Sequence, residues 1–484
     1  MALDWIKLLC HDRRGKSAGP STSSTPEDVS DHRTPSERDH DRILFSTPVR
    51  RLADKTQVFP LERNDSVRNR LTHSIEVANL ARSLGTALVY GEGPLSQIGN
   101  SARNIPTILA AIGLAHDLGN PPFGHQGENA IRSWFLEHFR DSKPDLSGWT
   151  EAMKQDFLQF EGNAQTIRLV TRLQFHQSDL GLNLTHGTLA SLIKYPSPSD
   201  KIKPKSSQVR KKFGYFQSEA PIICEIWNAT GLDEGVRHPL TFIMEACDDI
   251  AYSVLDVEDA IKKRIVSVPD LLSHLELCAK KAEQYPERSN LRRRVIELAR
   301  KRYEDYQSQK LTPSELNNIS MELFRVYAIR EMINSVYFKF RKELPTIMEG
   351  GWDKELIAES DAGALCEGLK TFAQKNAYSN RSVLEIELQG YYVLRGLMDI
   401  FWSAIERCAT DEEKRAKQDP LNEYVFSRIS DSYKRVFGKS SKTLPLRYRQ
   451  YQLLTDMVAG MTDSYAVELY EDLRSRNGKP ARQE

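Results

Sequence analysis

Ile108-Leu-Ala-Ala-Ile-Gly-Leu-Ala115 runs without a polar side chain into His116-Asp-Leu-Gly-Asn-Pro-Pro-Phe-Gly-His-Gln-Gly-Glu128. The apolar residues from Thr107 to Leu118 recur at helical spacing, and Gly119 with the two prolines stops the helix directly after His116 and Asp117. An unpaired buried carboxylate is costly, so two polar side chains offered where an apolar helix breaks suit a metal site better than a packing core. The alternative is an Asp that caps a neighbouring helix.

Outward from this stretch, helical spacing recurs over Leu71 to Leu84, Ala164 to Leu173, Leu240 to Ile261, Leu291 to Tyr303, Ser314 to Leu344 and Tyr391 to Ile405. Strand signals are sparse, which predicts an all-α fold with at most a small β-hairpin near Gly181 to Thr188. Three regions are expected: a mobile N-terminal tail over 1–42, a catalytic core over 43–265, and a C-terminal helical region over 266–484. The tail rests on Ser17 to Arg42, which offers almost nothing apolar to bury. Within the core, Pro196 to Lys212 is rich in proline, serine and basic residues and reads as an exposed loop, a candidate lid.

The 484 residues carry 27% charged side chains and a net charge of +1, so any polyanion site must be local. The six cysteines form no CxxC pair, which points away from a zinc ribbon or a disulfide framework and toward a reducing cytoplasm. The opening residues are too short an apolar run to span a bilayer, and no membrane association is expected.

Two more segments complete a ligand set. His73 lies near the start of the helix that Leu71 to Leu84 predicts, where a lone histidine would ordinarily be a core or capping residue. Asp248, Tyr252 and Asp256 fall at i, i+4 and i+8 on one face of another helix, a spacing that a solvated stripe would also produce. Two imidazoles (His73, His116) and two carboxylates (Asp117, Asp248) suit an octahedral divalent ion that keeps water or phosphate oxygens, such as Mg²⁺ or Mn²⁺, better than a closed tetrahedral zinc.

A histidine, then His-Asp, then a distant Asp resembles the HD-domain phosphohydrolases. Longer strings narrow the resemblance: Lys55-Thr-Gln-Val-Phe-Pro-Leu-Glu62, Arg70-Leu-Thr-His-Ser74, the His116 to Glu128 segment, Phe160-Glu-Gly-Asn-Ala-Gln165, Asp248-Asp-Ile-Ala-Tyr252 and Gly460-Met-Thr-Asp463 are similar to the bacterial deoxyguanosine triphosphate triphosphohydrolases. The similarity runs from about Leu44 to Leu473. It implies an HD helical fold with additional C-terminal helices, and cleavage of a deoxynucleoside triphosphate to nucleoside and inorganic triphosphate.

By that resemblance His125 gives or takes the proton and Glu128 orients it. Arg70, Lys194 and Lys212 reach phosphate, although each also reads as a surface charge. Gln57 and Val58 border the deoxyribose, Tyr252 packs on the sugar, and Asp256 holds a phosphate-side water or lysine; for Val58 and Tyr252 a core role fits the spacing equally. Glu387 and Arg415 match positions that recognise guanine, but Tyr424 stands where the family has a further arginine, which places strict dGTP preference in question. The resemblance further implies a homo-oligomer, with a hexamer favoured, and single-stranded DNA as an effector. The competing readings are a broad deoxynucleotide triphosphohydrolase or another HD phosphohydrolase and, in a different class, a single-stranded nucleic-acid-binding regulator with an inactive HD site.

Overall fold

Apolar spacing becomes helix along the chain. The computed structural model describes residues 2–15, 32–62, 64–174, 180–281, 286–409, 419–439 and 443–476. The stretches read from periodicity lie within longer helices: Arg70–Val89, Pro239–Lys262, Pro286–Gln307, Pro313–Met348 and Arg381–Cys408. The apolar run ahead of His116 is the helix Ser101–Ala115. Ala164 to Leu173 divides into a helix over Gly162–Arg168 and a wider π turn over Leu169–Leu173. Among the described residues there is no strand, only isolated bridges pairing Arg13 with Thr185 and Thr56 with Asn69.

Two expectations are corrected. Gly181 to Thr188 is not a hairpin: Thr185 accepts from the Thr188 amide as the cap of the helix His186–Leu192, because a hydroxyl there satisfies a donor that a strand pair would need. Part of the 1–42 tail is also ordered. Residues 16–31 lie outside the described residues, but Trp5–Leu8 is a short helix with Leu8 fully buried, and Pro35–Leu44 is a helix started by a Thr34–Glu37 capping box. Its polar residues hold one another instead of water. Arg13 pairs with buried Asp39 at 2.6 Å, Asp39 accepts from both the amide and hydroxyl of Thr185, and Arg42 donates to the Asn183 carbonyl at 2.7 Å.

The metal candidates sit where three helices meet. Arg70–Val89 packs on Ser101–Ala115 so closely that a Cβ on Gly113 would stand 2.7 Å from the Ala78 Cα, and Pro239–Lys262 packs across both helices. One apolar core, from Leu8 to Ala373, fills this region. A second joins the helix Gly124–Asp141 to Arg381–Cys408, Leu446–Ala459 and Asp463–Arg476. The division expected at 265/266 crosses continuous packing, since Ile261, Val268 and Leu271 share the first core.

His238 fixes how the Asp248 helix begins. Its Nδ1 accepts from the Leu240 amide at 3.1 Å, while Nε2 reaches the Leu8 carbonyl at 3.1 Å, so the neutral Nε2–H form satisfies both partners. Burial pushes its pKa down to about 4. The unfolded histidine takes up a proton near pH ~6.5 while the folded one does not. This site's contribution is therefore whole above that pH and is lost as pH falls toward 4, by about 2 kcal/mol at pH ~5. Thermal midpoints compared between pH ~8 and ~5 should drop further for the wild type than for His238→Asn; equal drops would contradict this role for His238.

Candidate metal and phosphate site

The sequence places His116 just past the last turn of Ser101–Ala115, where its Nδ1–H donates to the Gly113 carbonyl at 2.7 Å. That bond leaves Nε2 as a lone pair directed away from its own helix. The Nε2 atom is buried without a hydrogen-bond partner, 3.6 Å from Asp117 Oδ2 and 3.5 Å from Asp248 Oδ1. His73 Nε2 stands 3.2 Å from the same Asp248 oxygen. Ligand atoms of His73, His116 and Asp117 all lie within 4.8 Å of one another, and Asp248 closes the group from the third helix. An orphaned imidazole nitrogen facing two carboxylates fits a divalent cation.

The electrostatics agree. Burial alone would disfavour a charged His116, but Asp117 and Asp248 overcome it and raise its pKa to about 9. The field that would hold a proton there also attracts a metal ion. Burial would raise both carboxyls, yet each lies well below its ordinary range, Asp117 through Arg70 and His116, Asp248 through His116 and Lys194.

Two cations touch these ligands, and a third pairs with a glutamate. Arg70 donates to Asp117 Oδ2, and Lys194 Nζ is 3.3 Å from Asp248 Oδ2. Lys212, at the end of the basic loop, reaches Glu161 Oε1 at 2.7 Å. Its pKa is raised even though burial opposes the charge, because Glu128 and Glu161 face it.

His125 lies just beyond a left-handed turn, Phe123 at φ 59° and Gly124 at φ 54°. A left-handed phenylalanine costs about 1–3 kcal/mol and persists only when its surroundings impose it. Asp463 accepts from the Phe123 amide at 3.0 Å, and Gly390 lets the helix Arg381–Cys408 press so close that a Cβ would meet the Phe123 ring at 2.3 Å. Gly124 leaves room for Arg70, whose Nη2 would lie 2.9 Å from a Cβ there. The exposed His125 ring contacts buried Glu128 at 3.3 Å. Burial would raise the Glu128 carboxyl, but His125, Lys212 and Arg132 bring it down to about 2.

Of the sugar candidates, Gln57 Oε1 is buried and unpartnered, and Val58 packs in a small cluster with Ala260, Val383 and Tyr378. Tyr378 donates to Asp256 Oδ2 at 2.5 Å and its ring lies 5.9 Å from that of Tyr252. Asp256 Oδ1 is buried without a partner. Glu387 reaches Gln126, the neighbour of His125, at 3.5 Å, whereas Arg415 lies outside the described residues. Tyr424 is held by Asp472 at 3.4 Å and by Arg476 stacked on its ring.

Sequence reasoning gave no role to Glu161, Asn120, Lys55, Asp463 or Tyr378. Asn120 donates to Asp117 Oδ1 at 2.6 Å, and buried Lys55 donates to the Asn120 and Ala459 carbonyls. Burial lowers the Lys55 pKa to about 7. All but Tyr378 belong to the quoted strings, so their positions were visible while their partners were not. Nothing in the spacing marks Tyr378.

Comparison with known proteins agrees with this geometry. An HD domain model matches residues 70–178, which include His73, His116, Asp117, His125 and Glu128. A deoxyguanosinetriphosphate triphosphohydrolase-like protein of Listeria monocytogenes is 37% identical, the alignment covering 97% of this chain and 99% of that protein. A deoxyguanosinetriphosphate triphosphohydrolase of Salmonella paratyphi A is 33% identical over 90% of this chain and 93% of its own length. The chain belongs to the deoxyguanosinetriphosphate triphosphohydrolase family of HD-domain proteins.

Proposed function

We propose that the protein hydrolyses dGTP to deoxyguanosine and inorganic triphosphate at the His73, His116, Asp117 and Asp248 centre. The observation that carries this is the convergence of the four ligands with Arg70 and Lys194 against their carboxylates. Those ligands would hold Mg²⁺ or Mn²⁺, which would supply positive charge to the phosphate oxygens. In the reaction, water adds to the α-phosphorus and the bond to the sugar 5′ oxygen breaks. Triphosphate keeps the water oxygen, and the 5′ oxygen takes a proton. His125 manages that proton, with Glu128 holding its ring through Nδ1.

Arg70, Lys194 and Lys212 hold the triphosphate through charge-assisted bonds. Glu161 acts on Lys212 as a positioning residue, and Arg132, 2.7 Å from the same Oε1, keeps that carboxylate in place. Gln57 and Val58 border the deoxyribose, Tyr252 packs on the sugar, Asp256 holds a phosphate-side water or lysine, and Glu387 with Arg415 reads the guanine N1–H and N2–H donors. Tyr424, committed to Asp472 and Arg476, favours a second reading in which other bases are accepted.

We also propose a homo-oligomer, hexameric by resemblance. Leu384, Leu388 and Tyr392 form an apolar stripe at i, i+4 and i+8, 49–62% exposed, on the helix that carries Glu387. Single-stranded DNA is proposed as an effector on the resemblance alone. The described cysteines are all free, which supports a reducing, cytoplasmic setting, and no described helix is long and apolar enough to cross a membrane.

Incubation with each deoxynucleoside triphosphate and with GTP, in Mg²⁺ or Mn²⁺, should release triphosphate from dGTP; pyrophosphate or phosphate would point to another HD phosphohydrolase, and no product to a binding protein. His125→Ala should lower kcat by roughly 10²–10⁴ while Mn²⁺ still raises the thermal midpoint. Asp117→Asn should abolish that rise, worth about 2.7 kcal/mol at a hundredfold excess over Kd in the wild type. Glu161→Gln should raise KM roughly tenfold with a smaller fall in kcat; a pure kcat loss would contradict its positioning of Lys212.

A further inference from the structure

Lys194 and Lys212 reach Asp248 and Glu161 from the two ends of one segment, and that segment folds back on itself at a neck. The chain after Lys194 meets the chain after Lys212 there. The Gly214 amide donates to the Ser197 carbonyl at 3.1 Å, and a Cβ on Gly214 would stand 2.0 Å from the Tyr195 carbonyl oxygen. Only glycine lets the two stretches come so close. Just beyond this contact a third element joins them. Asp156, fully buried on the helix Glu151–Leu158, accepts from the Gln217 amide at 2.8 Å through Oδ2 and contacts the Ser199 hydroxyl at 2.7 Å through Oδ1. One carboxyl thus closes the loop between Ser199 and Gln217, which contains Lys212. No step of the proposed reaction draws on that carboxyl.

The hydrogen bonds at the neck specify the protonation state of Asp156. Ser199 Oγ lies 2.8 Å from the Ala152 carbonyl and 2.7 Å from Asp156 Oδ1, and a hydroxyl has one proton to give. Both contacts are bonds only if Asp156 supplies the second proton: Oδ1–H donates to Ser199, and Ser199 donates to Ala152. Oδ2 then accepts from Gln217 and from the Tyr448 hydroxyl at 2.6 Å. Burial, helped by the charge of Glu219, pushes the Asp156 pKa up to about 7. A neutral carboxyl satisfies every partner, where an unpaired buried anion would be costly.

Lys194 has a separate anchor. Arg237 Nε donates to the Lys194 carbonyl at 2.6 Å, and Arg237 Nη1 pairs with Glu245 at 2.6 Å. The Asp156 neck therefore bears chiefly on Lys212, whose ammonium is 2.7 Å from Glu161.

We propose that Asp156 is a positioning residue for the triphosphate: by tying Ser199 to Gln217 it holds Lys212 where Glu161 and the phosphate oxygens meet it. The kinetic consequence rests on the hydrolase reading, whereas the closure of the loop does not. A carboxyl that only stabilised the core would lower the thermal midpoint and leave KM alone.

The test combines dGTP kinetics with tryptic cleavage of the full chain after Lys205 and Lys211, both exposed and both inside the closed loop. Asp156→Ala should raise KM roughly tenfold with a smaller fall in kcat, and should speed cleavage at both sites. Asp156→Asn should restore KM and slow cleavage, because its amide donates to Ser199 while its oxygen accepts from Gln217 and Tyr448. Ser199→Ala opens one side of the neck with the carboxyl still in place, so it should raise KM even where Asp156→Ala fails to fold. Tyr448→Phe removes a bond to the same carboxyl from outside the loop, and should lower the thermal midpoint without raising KM. In a Lys212→Ala background, Ser199→Ala should change KM by less than about twofold, since the cation it positions is gone. An unchanged KM in Ser199→Ala, an equal rise in Tyr448→Phe, or a full further rise in the Lys212→Ala background overturns the proposal. Absence of dGTP hydrolysis by the wild type refutes the hydrolase reading, and cleavage still decides the loop: equal rates in the wild type and Ser199→Ala overturn its closure by Asp156.

Discussion

Two carboxylates drawn into one pocket govern this molecule. Asp117, in the turn after Ser101–Ala115, and Asp248, on Pro239–Lys262, lie 131 positions apart in the chain, and both are held ionised although burial opposes their charge. Such a pair is tolerable only with compensating positive charge at close range. His116, Arg70 and Lys194 provide it from the protein, and the same arrangement is what a divalent cation and a triphosphate require. The need to bury, pair and orient these groups explains why three helices converge at this point and why Gly113 must let two of them nearly touch.

A second layer keeps that centre in register with the turn that carries His125. The C-terminal turn over Gly460 to Asp463 reaches back across more than half the chain to hold Thr56, Phe123 and, through Ala459, Lys55. A left-handed phenylalanine next to His125 persists because Asp463 and Gly390 leave it no alternative. The C-terminal helices are thus part of the site's scaffold, which is why a boundary at 265/266 does not divide the core.

Much of the helical content was legible because each long helix carries an apolar face with period 3.6, and that signal is local. The candidate ligands stood out for a related reason: His116-Asp117 ends an otherwise apolar helix. Where polarity was the only cue, the reading failed. Pro35–Leu44 looks too polar to fold, yet Asp39 and Arg42 are satisfied by Arg13, Thr185 and Asn183, partners up to 146 positions away. The hairpin expected at Gly181 to Thr188 failed because a threonine cap and a strand end leave similar traces in a short polar stretch.

The chain's own order of residues was enough to specify helices, the chemistry of the donor set and the family pattern, since each depends on neighbours a few positions apart. The meeting of Lys212 with Glu161, of Tyr378 with Asp256 and of Asp463 with the His125 turn came only from folding in three dimensions. Those pairings depend on how helices cross, and crossing is set by side-chain packing between segments whose separation along the chain carries no periodic trace.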